Sequence, residues 1–229
     1  MAQISIIVPT LNEAAGIRAA LEALQPLRSR GHDVIVVDGG SADGTSELAR
    51  PLADRVIVGA PPGRACQMNA GAAEARGDVL LFLHADTALP RDADRLVLEG
   101  LASTRRLWGR FDVRIDGRHP LLPLIASLMN FRSRMTGIAT GDQAMFAWRE
   151  AFLRAGGFPP IPLMEDVALS RALGVLSQPL CLAERVTTSG RRWESRGVLR
   201  TVALMWWLRL RYVLGASPDR LAQLYGAHR

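Results

Sequence analysis

At 229 residues, with 48% hydrophobic and 22% charged side chains, the chain has the composition of a folded protein, which excludes extensive disorder and fits one large domain. All 28 basic residues are arginine, and a net charge of +6 suits acidic partners (nucleotide diphosphates, anionic lipid, nucleic acid) or describes no more than a solvated basic surface. Cys66 and Cys181 lack CxxC spacing, which argues against a zinc or disulfide framework and fits a reduced cytoplasm; no apolar run has the length of a signal peptide or membrane span.

Three apolar runs in the first half each stop in small and acidic residues. They are Ile4-Ser-Ile-Ile-Val-Pro-Thr-Leu-Asn-Glu13, Val34-Ile-Val-Val-Asp-Gly-Gly-Ser-Ala-Asp-Gly-Thr45 and Val79-Leu-Leu-Phe-Leu-His-Ala-Asp-Thr87. Such runs are predicted to be strands buried on both faces, their polar stops forming the loops where open α/β sheets bind ligands. In chain order the pattern predicts a strand at 4–8, a helix at 14–24 with Ile17, Leu21 and Leu24 on one face, and a strand at 34–37. A helix near 46–49, a strand at 55–58, a helix at 64–75 and a strand at 79–83 follow. This βαβ rhythm implies a mostly parallel sheet with helices on both faces.

Beyond residue 101 the character changes. Phe111, Val113 and Ile115 alternate with Arg110, Asp112, Arg114 and Asp116, which predicts a half-exposed, antiparallel strand. An apolar stretch at 121–131, interrupted by Pro123, precedes a predicted strand at 139–146 and a helix at 149–155 stopped by Gly156 and Gly157. A short helix at 165–173, a strand at 180–187 and an apolar helix at 198–214 complete the pattern. On the last helix Leu199, Val202, Ala203, Trp206, Leu210 and Val213 form a stripe suited to a core, a dimer interface or a membrane surface.

The 39–44 loop matches neither a Walker A nor a GxGxxG fingerprint. Asp38, at a strand end, can accept hydrogen bonds from a base or ribose, or simply cap a turn. His84 and Asp86 lie one residue apart at the end of a buried strand, so both can face one site. A magnesium- or manganese-type ion held by one or two carboxylates plus phosphate oxygens fits so few ligands. Asp86 as a turn cap and His84 as a structural histidine are the alternatives. Glu165 and Asp166 open a predicted helix, where acids are favoured by the dipole; a carboxylate there can also act as a general base.

In order, Val8-Pro-Thr-Leu-Asn-Glu13, Val37-Asp-Gly-Gly-Ser-Ala-Asp-Gly-Thr45, Gly63-Arg-Ala-Cys-Gln-Met-Asn-Ala-Gly71, Leu83-His-Ala-Asp86, Gly141-Asp-Gln143 and Glu165-Asp166 resemble the motifs of family 2 glycosyltransferases with the GT-A fold. The GRACQMNAG, LHADT and TSGRRWE segments resemble a short bacterial subgroup named for its gene neighbourhood with radical-SAM and selenium-related proteins. The resemblance implies a three-layer α/β/α fold with a mixed, mostly parallel sheet and a single domain over 1–229. Within it, 1–101 would be the nucleotide-binding half, 102–195 the acceptor half and 196–229 a C-terminal apolar helix. It implies that Pro9, Thr10, Glu13, Asp38, Arg64, Asn69 and Ala85 bind a nucleotide-diphosphate sugar, and that Asp86, with His84, binds manganese or magnesium. Asp166, beside Glu165, would be the catalytic base, and Gly141, Asp142, Gln143, Arg191, Arg192 and Trp193 the acceptor side.

Two positions depart from the family pattern: Gly39 stands where a second aspartate is usual, and His84 where the first acid of DxD is usual. The expected reaction is inverting, metal-dependent transfer to an acceptor hydroxyl in the cytoplasm. A lipid-linked acceptor at the inner membrane face, and a peripheral membrane contact or homodimer through the last helix, extend that expectation; nucleic acid is not an expected partner. Nucleotidyl transfer and a non-catalytic sugar-nucleotide sensor are the rival readings.

Overall fold

Alternate side chains along the first strands are buried in two different cores, and this sets the architecture. The computed structural model describes residues 2–61 and 63–227, apart from the side chains of residues 192, 195, 196 and 227. The first half runs β1 (Ile4–Thr10), α1 (Ala14–Glu22), α2 (Gln25–Ser29), β2 (Asp33–Asp38), α3 (Thr45–Ala49), β3 (Arg55–Val58), α4 (Arg64–Glu74) and β4 (Val79–Phe82). Ile4, Ile6, Val8, Val34, Val36, Val79 and Leu81 pack with α1 on one face. Ile7, Ile35, Val37, Leu80 and Phe82 pack with Ala65, Met68 and Ala72 of α4 on the other. The period of two thus builds three layers.

The second half adds β5 (Thr87–Ala88), α5 (Ala93–Thr104), β6 (Trp108–Asp116), α6 (Leu122–Thr136), a 3-10 turn at Gly141–Gln143, β7 (Phe146–Trp148), α7 (Arg149–Arg154) and α8 (Glu165–Leu176). Then come β8 (Leu180–Ser189), α9 (Arg191–Arg196), α10 (Val198–Val213) and α11 (Pro218–Ala227). The strands form one eight-stranded sheet in the order β3-β2-β1-β4-β7-β6-β8-β5. Neighbours β3, β2, β1 and β4 are parallel, β7 is antiparallel to both β4 and β6, and β6 is parallel to β8. The mixed, mostly parallel α/β/α architecture is the expected one.

Three local expectations change, and the core alternative for the α10 stripe is set aside. The polar face of β6 is not solvated: Arg110 is fully buried, bonded to Asp112 and to Ser133 Oγ (3.0 Å), and Asp112 also accepts from Arg134 at 2.8 Å. α6 covers that face, so only Arg114 and Asp116 of the four charged positions are exposed. β6 pairs mainly with parallel β8 along 109–116, its antiparallel contact with β7 being confined to Trp108 and Gly109. Of the segment 139–146 only Phe146, the first residue of β7, is in a strand, because Thr140 and Gln143 form a capping box and Ala144 turns left-handed (φ 44°) before β7 begins. The stripe on α10 mostly faces out: Leu199, Trp206, Leu210 and Val213 are exposed, while Val198, Thr201 and Leu208 are buried. Leu208 joins Met164, Val167 and Leu221 in a small third core beneath α8 and α11. Among the described residues no helix is long and apolar enough to cross a membrane.

Candidate active site

The loops after β1 and β2 are knitted by their own polar side chains. Asp38 is buried; its carboxylate accepts from Thr10 Oγ1 (3.2 Å), Ser41 Oγ, and the backbone N–H groups of Gly40 (3.2 Å) and Ser41 (2.9 Å). Those four donors match the acceptor capacity of a carboxylate, so Asp38 organises its loop in this structure. Ser41 Oγ in turn accepts from Asn12 N–H, and Thr45 Oγ1 from Glu13 N–H, at 2.8 and 2.9 Å. A residue that sequence reasoning missed lies beneath: Gln67 of α4 donates its amide to the carbonyls of Thr10 (2.7 Å) and Val37 (3.0 Å). A Cβ at position 39 would stand 2.8 Å from that amide, so Gly39 leaves the room that Gln67 fills. The available signal was a polar residue on the buried face of α4, beside Ala65 and Met68.

Pro9, Glu13, Arg64, His84, Ala85 and Asp86 converge on one cleft above these loops, with Trp193 of α9 on its far wall. Glu13 approaches Arg191 across it at 3.8 Å. Asp86 is exposed, and its carboxylate accepts a long bond from Thr87 Oγ1 at 3.4 Å; β5, paired to the end of β8, holds its loop in position. Asn69 is not part of the cleft: its amide group makes a reciprocal pair with the backbone of Phe158 (2.7 and 3.0 Å), pinning the segment after α7 to α4. Gln143 is likewise internal, bonded to Thr140 N–H at 3.2 Å and to Asn130 at 3.4 Å. The side chain of Arg192 lies outside the described residues.

The second wall joins His84 to the acids of α8. His84 Nδ1 is 3.3 Å from Asp142 Oδ1, and its Nε2 is buried with no hydrogen-bond partner among the described residues. The ring lies so close over Gly141 that a Cβ there would collide with it. Gly141 N–H donates to Asp166 Oδ2 at 3.0 Å, and Val167 N–H to Asp166 Oδ1 at 2.7 Å, so the Asp166 carboxylate is fixed at the head of α8. Glu165 is buried 3.7 Å from Arg64. Burial and the neighbouring Asp166 push its carboxyl up to about 7, against the pull of Arg64. Arg64, His84, Gly141, Glu165 and Asp166 line a small cavity that shares Arg64 and His84 with the Asp86 cleft.

No group of three or more His, Cys, Asp or Glu side chains among the described residues is arranged to hold a metal by itself. The residues present fit a magnesium-type ion completed by substrate: Asp86 lines the cleft together with Glu13 and Asp142, and phosphate oxygens would supply the remaining ligands. His84 adds an imidazole to the same wall, its Nε2 buried against Gly141.

Residues 5–155 match the sequence profile of glycosyl transferase family 2. A succinoglycan biosynthesis protein of Rhizobium meliloti is 40% identical over 107 residues, 43% of this chain and 32% of that protein. An undecaprenyl-phosphate 4-deoxy-4-formamido-L-arabinose transferase of Pseudomonas paraeruginosa is 28% identical over 166 residues, 66% of this chain and 48% of that one. The chain thus spans about a third to a half of the length of these relatives. A mannosyltransferase from Pyrobaculum calidifontis, solved with GDP-Man and Mn2+, superposes with a TM-score of 0.69 at 20% identity, over 99% of this chain and 70% of that one. TarS of S. aureus, solved with UDP-GlcNAc, does so with 0.67 at 18%, over 82% and 59%. The fold is therefore that of the GT-A glycosyltransferases. With a profile that runs through β1, β2, β4 and the His84–Asp142 wall, this chain belongs to glycosyl transferase family 2.

Proposed function

We propose that this chain transfers a sugar, with inversion, from a nucleotide-diphosphate donor to an acceptor hydroxyl. The observation that carries the reading is the Asp166 carboxylate, held by two backbone N–H groups in a cavity that opens beside the Asp86 cleft. The nucleotide lies over the loops shaped by Asp38 and Gln67, bounded by Pro9, Glu13 and Ala85, with Arg64 beside the diphosphate. Asp86 would hold a divalent ion, manganese or magnesium, with His84 as an accessory donor, and such an ion would supply Lewis-acid neutralisation of the diphosphate. The acceptor oxygen attacks the anomeric carbon, the bond from that carbon to the diphosphate oxygen breaks, and the acceptor proton passes to Asp166. Glu165, with its raised affinity for a proton, limits the negative charge around the base.

Gly141 and Asp142 hold the acceptor side against His84, and Trp193 and Arg191 close it from α9. The undecaprenyl-phosphate specificity in the name of one relative supports a lipid-linked acceptor, and the exposed apolar side chains of α10 support contact with the inner membrane face. Membership of the short bacterial subgroup rests on the three quoted segments. Asp166→Asn tests the mechanism: general-base assistance is worth about 10²–10⁴-fold, so turnover should fall by about that much while calorimetric donor affinity stays near normal. Near-normal turnover in the variant would remove Asp166 from the reaction.

A further inference from the structure

Beside the donor cleft, a groove runs between α6 and α10. Its walls are apolar, formed by Ile125, Leu128, Met129, Val202, Met205 and Trp206, yet two arginines, Arg132 and Arg209, lie within it. Nε and Nη2 of Arg132 and Nε of Arg209 are buried without hydrogen-bond partners among the described residues. Burial, and for Arg132 the neighbouring Arg209, depress the affinity of both guanidinium groups for their protons, while Asp166 opposes this. Buried donors left unpaired are costly, and an arginine fork pairs best with a planar or tetrahedral oxyanion. The groove shares Asp142, Trp193 and Met205 with the donor cleft, so a molecule lying in it brings one end to the reaction centre. Its apolar lining continues outward through Leu124 and Phe131 of α6 and Leu210 and Val213 of α10, all exposed.

We infer that this groove is the acceptor subsite and takes a phosphate-bearing amphiphile, its phosphate on Arg132 and Arg209, its apolar chain between α6 and α10, and the acceptor hydroxyl on the head group that reaches the reaction centre. The inference rests on the glycosyltransferase reading above and names the chemistry of the acceptor. A free phosphate leaves the apolar walls unused, and a neutral lipid leaves the arginines unpaired.

Dodecyl phosphate, inorganic phosphate and dodecyl maltoside below its micellar concentration are titrated into the full chain. Binding is followed by calorimetry and by the fluorescence of Trp193 and Trp206, which line the groove. Dodecyl phosphate should bind about 10–100-fold more tightly than either control, the range of one charge-assisted hydrogen bond. Arg132→Gln and Arg209→Gln should each remove most of that preference while leaving nucleoside diphosphate binding unchanged, which also verifies folding; Arg132→Lys should restore part of it. Equal binding of dodecyl maltoside, or undiminished dodecyl phosphate affinity in folded Gln variants, overturns the subsite. The comparison of the three probes on the unaltered chain stands even if a variant does not fold. Loss of nucleoside diphosphate binding with dodecyl phosphate binding intact would instead sink the transferase reading while leaving the anion site supported.

Discussion

Replacing Glu165 with glutamine isolates the energetic consequence of burying a second acid beside the proposed base. The carboxyl is raised from 4.5 to about 7, first by burial, then by Asp166, with Arg64 opposing. At roughly 1.4 kcal/mol per pH unit, that difference corresponds to at most about 3 kcal/mol. The folded state binds the Glu165 proton more tightly than the unfolded state, so the contribution is fully present below 4.5 and is lost as pH rises through about 7. Glutamine does not ionise and avoids this loss. The assay is paired thermal denaturation of wild type and Glu165→Gln at several pH values between 4 and 8. The two should melt together at pH 4, and the variant should be the more stable by about 6–12 °C at pH 8, taking about 2–4 °C per kcal/mol for a chain of this size. Parallel melting curves across the range would show that Glu165 ionises freely in the folded protein and refute the reasoning.

Asp86→Ala should abolish the manganese-dependent part of nucleoside diphosphate affinity; a calorimetric affinity that still rises with manganese in the variant would take Asp86 out of the metal site. Gly141→Ala drives a methyl group into the His84 ring and should cost about 1–3 kcal/mol in chemical denaturation, with a loss of turnover as Gly141 N–H shifts from Asp166. Wild-type stability and turnover together would contradict that packing. Gly39→Ala meets the Gln67 amide and should destabilise the wild type more than it destabilises Gln67→Ala; a double-mutant cycle with no coupling would show that the two do not share space.

Elements whose identity is written in local pattern were readable. The runs that became β1, β2 and β4 are apolar on both faces because each faces two cores, and the small, polar residues that end them mark the loops of the cleft. The helix opened by Glu165 and the short strand at Arg55–Val58 were equally legible. Helix α5 was not singled out, and α11 follows the last predicted helix with a weakly apolar sequence. Arg110 shows a different failure: alternation told which side chains share a face, but not that α6 would cover the polar one and supply Ser133 and Asn130 as partners.

The site divides along the same line. Asp86, Glu13 and Arg64 sit at element ends, where the type of element alone predicts a loop facing the cleft. Asn69 and Gln143 also sat in motif segments, but their amides are consumed by Phe158, Thr140 and Asn130, partners that no local pattern reveals. The contact of Gly141 with Asp166 spans 25 residues and exists because β7 inserts between β4 and β6, carrying the 3-10 turn onto His84. Arg132 and Arg209, 77 positions apart in the chain, become one charged patch only when α10 folds back across α6. Period and composition specify which face of a segment avoids water, because that depends on the segment's own side chains. Which segment meets that face depends on sheet order and on the packing of helices distant in sequence, and here that packing gathered Asp166, Asp86 and the arginine groove around one cleft.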